Sequence, residues 1–505
     1  MKPVPLESYQ WPPSTEEIAR RVGIDARSIV RFDGNVAAAP PSSARPAALA
    51  RALADVNEYE RGRYLALREA IAAHHGLDVA NVALGAGSDE FIVLLAHMYG
   101  AGGTIATVPT FSYSMYRFAA VMAGAALVDD PRDADLVFVC RPNNPTGELP
   151  EIPEVRGQIV VDEAYAQYAG VDALDRLDEG VIILRTFSKA FGLAGARVGY
   201  ALARPDVIDA ITSRQAPLSV SSLSAALALT AITSPLDVAP AINERERLAT
   251  ELEKLGLAPL RSYTNFLFIP MEEPEKLVDQ LMTVGAVARA YPGGMRVSVR
   301  DALDNDFLLD ALRAVLFDAP LSAPYTRHER HTAETLLSVR LRVPGEGRIY
   351  VNTGAGFYDH MLQQLAFHAG LDLRLEGSGD LETGDHHLVE DMMRTFGEAL
   401  DRALGDRKGL TRYGEARVPM DEALAHAVVD LSGRATAKIQ IAPDEGMVAH
   451  AFESLVQTAR ITLHVTSEGH NAHHVGEGAF KAVGRALAQA LTKDGSLVRS
   501  TKGSL

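Results

Sequence analysis

Two stretches of the chain place imidazoles and carboxylates where a metal ion could use them. The first is Gly384-Asp-His-His-Leu-Val-Glu-Asp391, and Asn471-Ala-His-His-Val-Gly-Glu-Gly478 repeats it 87 positions later. The parallel continues downstream, because Glu390-Asp-Met-Met-Arg-Thr-Phe-Gly397-Glu-Ala-Leu400 matches Glu477-Gly-Ala-Phe-Lys-Ala-Val-Gly484-Arg-Ala-Leu487. On a helix His386 and Glu390 stand as i,i+4 and His387 and Glu390 as i,i+3, so imidazole and carboxylate share a face. His473, His474 and Glu477 repeat that arrangement. Two such helices set face to face would supply four imidazoles and two carboxylates, a donor set suited to a first-row metal such as manganese or zinc. Surface histidines paired by chance would not bring matched flanks with them.

Four motifs further upstream hold groups that could bind or work on a cofactor. Gly85-Ala-Gly-Ser-Asp-Glu90 is a glycine-rich turn opening a helix, and free backbone N–H groups at such a start can hold a phosphate. Arg141-Pro-Asn-Asn-Pro-Thr-Gly147 is a rigid turn presenting Asn144 just after a strand. In Val160-Val-Asp-Glu-Ala-Tyr165 an apolar strand ends in Asp162, a carboxylate that could keep a ring nitrogen protonated. Arg185-Thr-Phe-Ser-Lys-Ala-Phe-Gly-Leu-Ala-Gly-Ala-Arg197-Val-Gly-Tyr200 sets a lysine in apolar, glycine-rich surroundings beside hydroxyls and an arginine. Taken singly, these also read as a turn, a capping aspartate and a surface lysine.

Positioning such groups calls for an α/β framework. Strand-like runs at Asn81–Leu84, Thr104–Val108, Leu136–Cys140, Gln158–Val161, Val181–Arg185 and Val198–Leu202 alternate with helical stretches such as Ser88–Tyr99 and Tyr113–Ala123. The motifs fall at strand ends, where α/β folds place their chemistry. A chain of 505 residues exceeds one ordinary core. Histidine usage also changes along it: three of the 15 lie in the first 320 residues and twelve between His328 and His474. The change coincides with Asp318-Ala-Pro-Leu-Ser-Ala-Pro324, which reads as a linker between domains 1–320 and 325–505. The Ala/Pro/Ser patch at Ala37–Pro46 reads as a loop. Beyond the linker, Arg330-His-Thr-Ala-Glu334-Thr leads into a β-like run at Leu336–Val343, and glycines at 354 and 356 precede His360, which begins a helix. His368 reads as a helix-end histidine.

Composition narrows the function classes. A hydrophobic content of 47% with 23% charged residues is that of a globular protein. A formal charge of −16 argues against a broad nucleic-acid or anionic-membrane surface, leaving room for local basic pockets. The single cysteine, Cys140, excludes an internal disulfide and fits a reducing compartment. The start of the chain has no apolar signal core and no later apolar run has membrane-spanning length. A cytoplasmic enzyme of small molecules is expected, without nucleic acid or membrane as partner.

In their order the four upstream motifs resemble the fold-type-I pyridoxal-phosphate aminotransferases, and among these histidinol-phosphate aminotransferase, over residues 30–315. The resemblance implies pyridoxal 5′-phosphate as cofactor, with Lys189 as the Schiff-base lysine that also moves the proton and Asp162 on the pyridinium nitrogen. It assigns Asn144 and Tyr165 to the ring's 3-oxygen, and Ser188, Arg197 and the amides of Gly87 and Ser88 to the cofactor phosphate. Phe111 takes the place of the aromatic stacked on the ring, and Tyr59 that of the tyrosine reaching across a dimer interface. Arg289 and Arg296 match the two arginines that bind substrate anions. The sequence departs from this family at Asp33-Gly-Asn-Val, where Asn-Glu-Asn-Pro is usual and only Asn35 can be matched, and at Glu58 and Arg300.

The downstream set resembles imidazoleglycerol-phosphate dehydratase across residues 328–505. This implies two manganese sites with His360, His386, His387, Glu390, His450, His473, His474 and Glu477 as ligands. Glu334 and Lys481 become acid/base groups, Gln364 and Asp421 line the substrate site, and Arg412, Arg434, Ser500 and Lys502 bind the substrate phosphate. Arg499 stands where this family favours proline. Together the two resemblances imply an α/β protein: a fold-type-I PLP-dependent transferase domain followed by an α+β dehydratase domain built from an internal duplication. Both families assemble, so a homo-oligomer is expected.

The two resemblances rest on different residues yet meet on one metabolite. Dehydration of imidazoleglycerol phosphate gives imidazole acetol phosphate, the amino acceptor of histidinol-phosphate aminotransferase, with glutamate as donor. A bifunctional enzyme of histidine biosynthesis is the reading that unites them. Two alternatives stay open for the N-terminal half: a general or aromatic aminotransferase, which would transaminate phenylpyruvate and not imidazole acetol phosphate, and an inactive scaffold module.

Overall fold

The computed structural model describes residues 11–37, 52–54, 56–60, 62–319, 325–444, 446–495 and 497. Most of Ala37–Pro46 and of Asp318–Pro324 falls outside them. The chain divides into two compact units, Met1–Ile18 with Val30–Phe317 and Ala19–Ile29 with Asp318–Leu505. No helix among the described residues is long and apolar enough to cross a membrane.

In the first unit the strands are β1 (Val30–Arg31), β2 (Val82–Gly85), β3 (Thr104–Val108), β4 (Ala126–Leu127), β5 (Leu136–Cys140), β6 (Gln158–Asp162), β7 (Ile182–Thr186), β8 (Gly199–Leu202), β9 (Phe266–Pro270), β10 (Ala286–Val287), β11 (Arg289–Tyr291) and β12 (Gly294–Ser298). Seven of them form one sheet in the order β2-β8-β7-β6-β5-β3-β4. β8 runs antiparallel to both its neighbours and the other pairings are parallel. The carboxyl ends of β2, β3, β5, β6 and β7 therefore lie along one edge, where a crevice can open. The apolar runs follow from burial on both faces. Along β5, Val137 and Val139 join one core and Leu136, Phe138 and Cys140 the other, none more than 2% exposed. Each large apolar side chain so buried contributes roughly 1.5–3 kcal/mol. The antiparallel order β11-β12-β9 forms a second, smaller sheet, with Arg289 directly opposite Arg296.

The second unit is one supersecondary pattern written twice. β13 (Tyr325–His331), β14 (Thr335–Arg342), β15 (Ile349–Asn352), the helix Gly356–His368, β16 (Asp372–Gly379) and the helix His386–Leu404 make the first copy. β17 (Tyr413–Met420), β18 (Ala423–Asp430), β19 (Thr436–Ala442), the helix Val448–Ala459, β20 (Thr462–Glu468) and the helix Ala472–Leu491 make the second. The sheets have matching orders, β13-β14-β16-β15 and β17-β18-β20-β19. Each also has the same mix of two antiparallel pairings and one parallel pairing. A single core draws on both sheets and all four helices.

Packing between the copies is crossed. His386–Leu404 packs on Val448–Ala459, and Ala472–Leu491 packs on Gly356–His368. On His386–Leu404 the buried Leu388, Val389, Met392, Met393, Phe396, Ala399, Leu400 and Ala403 recur at three- and four-residue steps, which turns His386 and Glu390 to the other face. The matched Gly397 and Gly484 permit the close crossings. A Cβ on Gly397 would sit 2.2 Å from Thr458 Oγ1, and one on Gly484 would sit 2.5 Å from the Leu365 carbonyl oxygen. Within the chain, each His-His-x-x-Glu helix thus lies against the shorter helix of the other copy.

Candidate active sites

In the first unit the strand-end motifs converge on a cleft of about 460 Å³, lined among others by Asn35, Ser88, Tyr113, Asn144, Asp162, Tyr165, Ser188, Lys189, Arg197, Arg289 and Arg296. Asp162, the last residue of β6, is 2% exposed. Its Oδ2 accepts the Tyr116 hydroxyl at 2.8 Å and its Oδ1 the Ala164 N–H at 3.1 Å. Burial pushes its pKa up to about 6, with both hydrogen bonds pulling the other way. Lys189 lines the same cleft. Its Nζ donates to the Asn35 carbonyl at 3.4 Å and sits 5.5 Å from the Tyr165 ring centre. Burial, then the nearby Arg296 charge, lowers its pKa to about 8.

One end of the cleft is built for an anion. Ser88 opens the helix Ser88–Gly100, Arg197 Nη1 reaches Ser188 Oγ at 3.4 Å, and Arg197 Nη2 pairs with Asp89 at 3.0 Å. Gly199 is required beside it, because a Cβ there would lie 2.5 Å from Gly87 C and 2.6 Å from Ser88 N. The other end carries Arg289 and Arg296. Buried Arg296 donates to Asn144 Oδ1 at 2.6 Å and to the Asp33 carbonyl at 2.8 Å, while its Nε has no hydrogen-bond partner among the described residues. Asn35 Nδ2 donates to the Tyr165 hydroxyl at 3.1 Å. A buried carboxylate at one wall, a lysine with a lowered pKa at the centre and cationic ends suit a flat phosphorylated pyridine ring.

One residue expected at this site lies outside its lining. Phe111 does not line the cleft; it is 38% exposed and packs edge-on against Phe268 and Tyr291. Tyr113, two residues on, lines the cleft together with Tyr165 and Tyr291, and its hydroxyl is held by Asp89 at 3.1 Å. Tyr59, expected to reach across a dimer interface, is 81% exposed. Sequence reasoning missed Tyr113 and Tyr116. The signal was present in Phe111-Ser-Tyr-Ser-Met-Tyr116, where the three aromatics are two and three residues apart and only the structure says which one turns inward.

The second unit holds two matching triads, each mixing both copies of the repeat. In one, His386 Nε2 and His450 Nε2 lie 3.6 and 3.5 Å from Glu390 Oε2. In the other, His473 Nε2 and His360 Nε2 lie 3.3 and 3.9 Å from Glu477 Oε2. The crossed helix packing explains the mixing. The second carboxylate oxygen of each triad is held by a cation one helical turn on, Arg394 at 2.7 Å from Glu390 and Lys481 at 2.7 Å from Glu477. Ligand atoms of His386, Glu390 and His450 all lie within 4.8 Å of one another, as a bound cation requires.

The remaining expected ligands stand apart from the triads. His387 Nδ1 meets Asp380 Oδ2 at 3.0 Å with Glu334 Oε2 at 3.8 Å. His474 Nδ1 meets Glu422 Oε2 at 2.8 Å, and its Nε2 lies 3.5 Å from Asp421. Asp380 and Glu422 had no signal in the sequence, since their partners come from other elements. Gln364 lies one turn beyond His360 on the same helix. Of the expected phosphate set, Arg412 and Arg434 fall among the described residues. Arg412 forms a bidentate pair with Asp430 at 2.7 and 3.0 Å, Arg434 is exposed, and Ser500 and Lys502 lie outside the described residues.

Comparison with known proteins finds two families. The profile for aminotransferase class I and II matches residues 29–314, and that for imidazoleglycerol-phosphate dehydratase matches residues 353–487. The imidazoleglycerol-phosphate dehydratase of Salinibacter ruber is 48% identical over 188 residues, 35% of this chain and 93% of that protein. Its counterpart in Polaromonas is 44% identical over 200 residues, 37% of this chain and 97% of that protein. Among solved structures, histidinol-phosphate aminotransferase from Sinorhizobium meliloti in complex with pyridoxal-5′-phosphate superposes with a TM-score of 0.54. It is 27% identical and the match covers 61% of this chain and 96% of that one.

Proposed function

The chain belongs to the aminotransferase class I and II family through its first unit and to the imidazoleglycerol-phosphate dehydratase family through its second, and from that premise we propose how one bifunctional histidine-biosynthesis enzyme divides its work. The second unit dehydrates imidazoleglycerol phosphate to imidazole acetol phosphate. The first transfers the amino group of glutamate to that ketone, giving histidinol phosphate. What supports the pairing is that two sites built from unrelated residues meet on one compound.

In the first unit, pyridoxal 5′-phosphate supplies an electron sink that the amino acids themselves lack. Asp162, ionised at neutral pH with a pKa of about 6, holds a proton on the ring nitrogen. Lys189, with a pKa of about 8, is neutral in a useful fraction of molecules and so can attack a carbonyl and move a proton. The Ser88 amide, Ser188 Oγ and Arg197 would bind the phosphate, and Asn144 and Tyr165 would hold the 3-oxygen. Tyr113, on the cleft wall, is the aromatic that would pack on the ring. Arg289 and Arg296, both on the cleft lining, take the substrate's anionic groups.

In the second unit, manganese supplies Lewis acidity toward the imidazole-bearing substrate. Its ligands would be the two triads, completed by His387 and His474. Glu334, half-exposed and 3.8 Å from His387, is free to take the proton from carbon. Lys481 fixes Glu477 and can donate to a leaving hydroxyl. Gln364 and Asp421 orient the substrate, and Arg412, Arg434, Ser500 and Lys502 bind its phosphate.

The test gives the purified full-length chain imidazoleglycerol phosphate and glutamate, with Mn2+ and pyridoxal 5′-phosphate present. Histidinol phosphate should accumulate. Lys189→Ala should stop at the ketone, and Glu334→Gln should stop before it. No histidinol phosphate from the parent chain, with both cofactors shown to be bound, would end this reading.

A further inference from the structure

The duplication leaves a glutamate in the same place in both copies, immediately before the second strand of each sheet. Glu334 precedes β14 and Glu422 precedes β18. Each faces the second histidine of its own copy's motif, yet the contacts differ. Glu422 Oε2 lies 2.8 Å from His474 Nδ1, and its Oε1 accepts the backbone N–H groups of His470 at 3.2 Å and Asn471 at 2.8 Å. Glu334 stands 3.8 Å from His387 Nδ1, and it is Asp380 that takes that nitrogen, at 3.0 Å. Strand register explains the difference. Leu336 pairs with Ser378 in the first copy and Leu424 with Glu468 in the second, so the position of Asp380 is occupied in the second copy by His470. Of the two copies, the first alone has a second carboxylate to offer at that position.

We propose that the repeats have divided one inherited role. Glu422 is the positioning residue of His474, and Asp380 is that of His387, which leaves Glu334 free for proton transfer. A carboxylate on Nδ1 keeps the proton there, fixes the ring plane and leaves the Nε2 lone pair for a metal. His474 Nε2 points away from Glu422, toward Asp421. Glu422 also cannot move protons in Glu334's place, because its oxygens are committed to His474 and to the two amides that open the helix Ala472–Leu491.

This inference rests on the metal reading of the second unit, and the experiment separates the two. Glu422→Gln is nearly isosteric. Its carbonyl oxygen can keep the two backbone N–H bonds, while its NH2 turns a donor toward Nδ1 and drives the His474 proton to Nε2. Mn2+ binding to the full-length chain is measured by equilibrium dialysis and by the electron paramagnetic resonance signal of free Mn2+, with unfolding followed in parallel. Relative to the parent, Glu422→Gln should lose about 10- to 100-fold in affinity at one class of site with its unfolding unchanged. Glu334→Gln should bind Mn2+ as the parent does. Asp380→Asn, the matching change in the other copy, should show the same loss and decides the question if Glu422→Gln fails to fold. Parent-like Mn2+ affinity in the folded variants, or an equal loss in Glu334→Gln, overturns the division of roles alone. A parent chain that binds no Mn2+ overturns the metal reading and this inference with it.

Discussion

Replacing Asp162 by asparagine should make the cofactor-free protein more stable at neutral pH and less active. The carboxylate is 2% exposed and burial has moved its pKa up to about 6, against roughly 4 in an unfolded chain. A carboxyl whose folded value lies above its unfolded value favours folding in its protonated form. The penalty is therefore absent below about pH 4, grows from there, and is complete above about pH 6. Its size is up to about 3 kcal/mol. The introduced asparagine would carry no charge and could still be satisfied, its oxygen accepting the Ala164 N–H and its NH2 donating to the Tyr116 hydroxyl. Scanning calorimetry on the cofactor-free chain should show the first unit's transition raised by several degrees at pH 7.5, with the gap closing by pH 4. With cofactor bound the order should reverse, because the ionised carboxylate then faces a protonated ring nitrogen. A gap missing at pH 7.5, or equally large at pH 4, would refute the argument that burying this charge costs the fold stability.

Three further outcomes are expected. Below about pH 8, the pKa of Lys189, the rate of cofactor reloading should rise roughly tenfold per pH unit as the neutral amine fraction grows; stopped-flow absorbance follows it, and a flat profile from pH 6 to 8 would contradict the assignment. Gly199→Ala, with its Cβ 2.5 Å from Gly87 C, should weaken cofactor binding at least tenfold by displacing the phosphate turn, as read by absorbance titration. A chelator that strips divalent cations should abolish dehydration, while transamination of added imidazole acetol phosphate stays within about twofold; loss of both activities would contradict the assignment of metal to one unit only.

What the sequence made legible follows from how each element is buried. Thr104–Val108 and Leu136–Cys140 were expected to the residue, because a strand covered on both faces is an uninterrupted apolar run. The second unit has eight strands among its described residues, and only the run at Leu336–Val343 had been visible. Its strands are covered on one face, so a segment such as Ala423–Asp430 alternates buried and open residues with His426 and Asp430 among them. The metal triads were legible by residue type but not by grouping. His450 joins His386 through helix packing between copies, which no local spacing encodes. Phe111 and Tyr113 are equivalent in the sequence as aromatics, and only the turn of the chain after β3 brings Tyr113 to the cleft.

The second unit's apolar side chains, from Leu337 to Ala490, gather in one cluster that includes Phe396. Both units are carried on one polypeptide. In a cell, a protease engages whichever segment opens first and then degrades the polypeptide it holds. The half-life of both activities is set by the weaker unit. A destabilising substitution near Phe396, far in sequence from Lys189, would thus lower the amount of transaminase without touching its site.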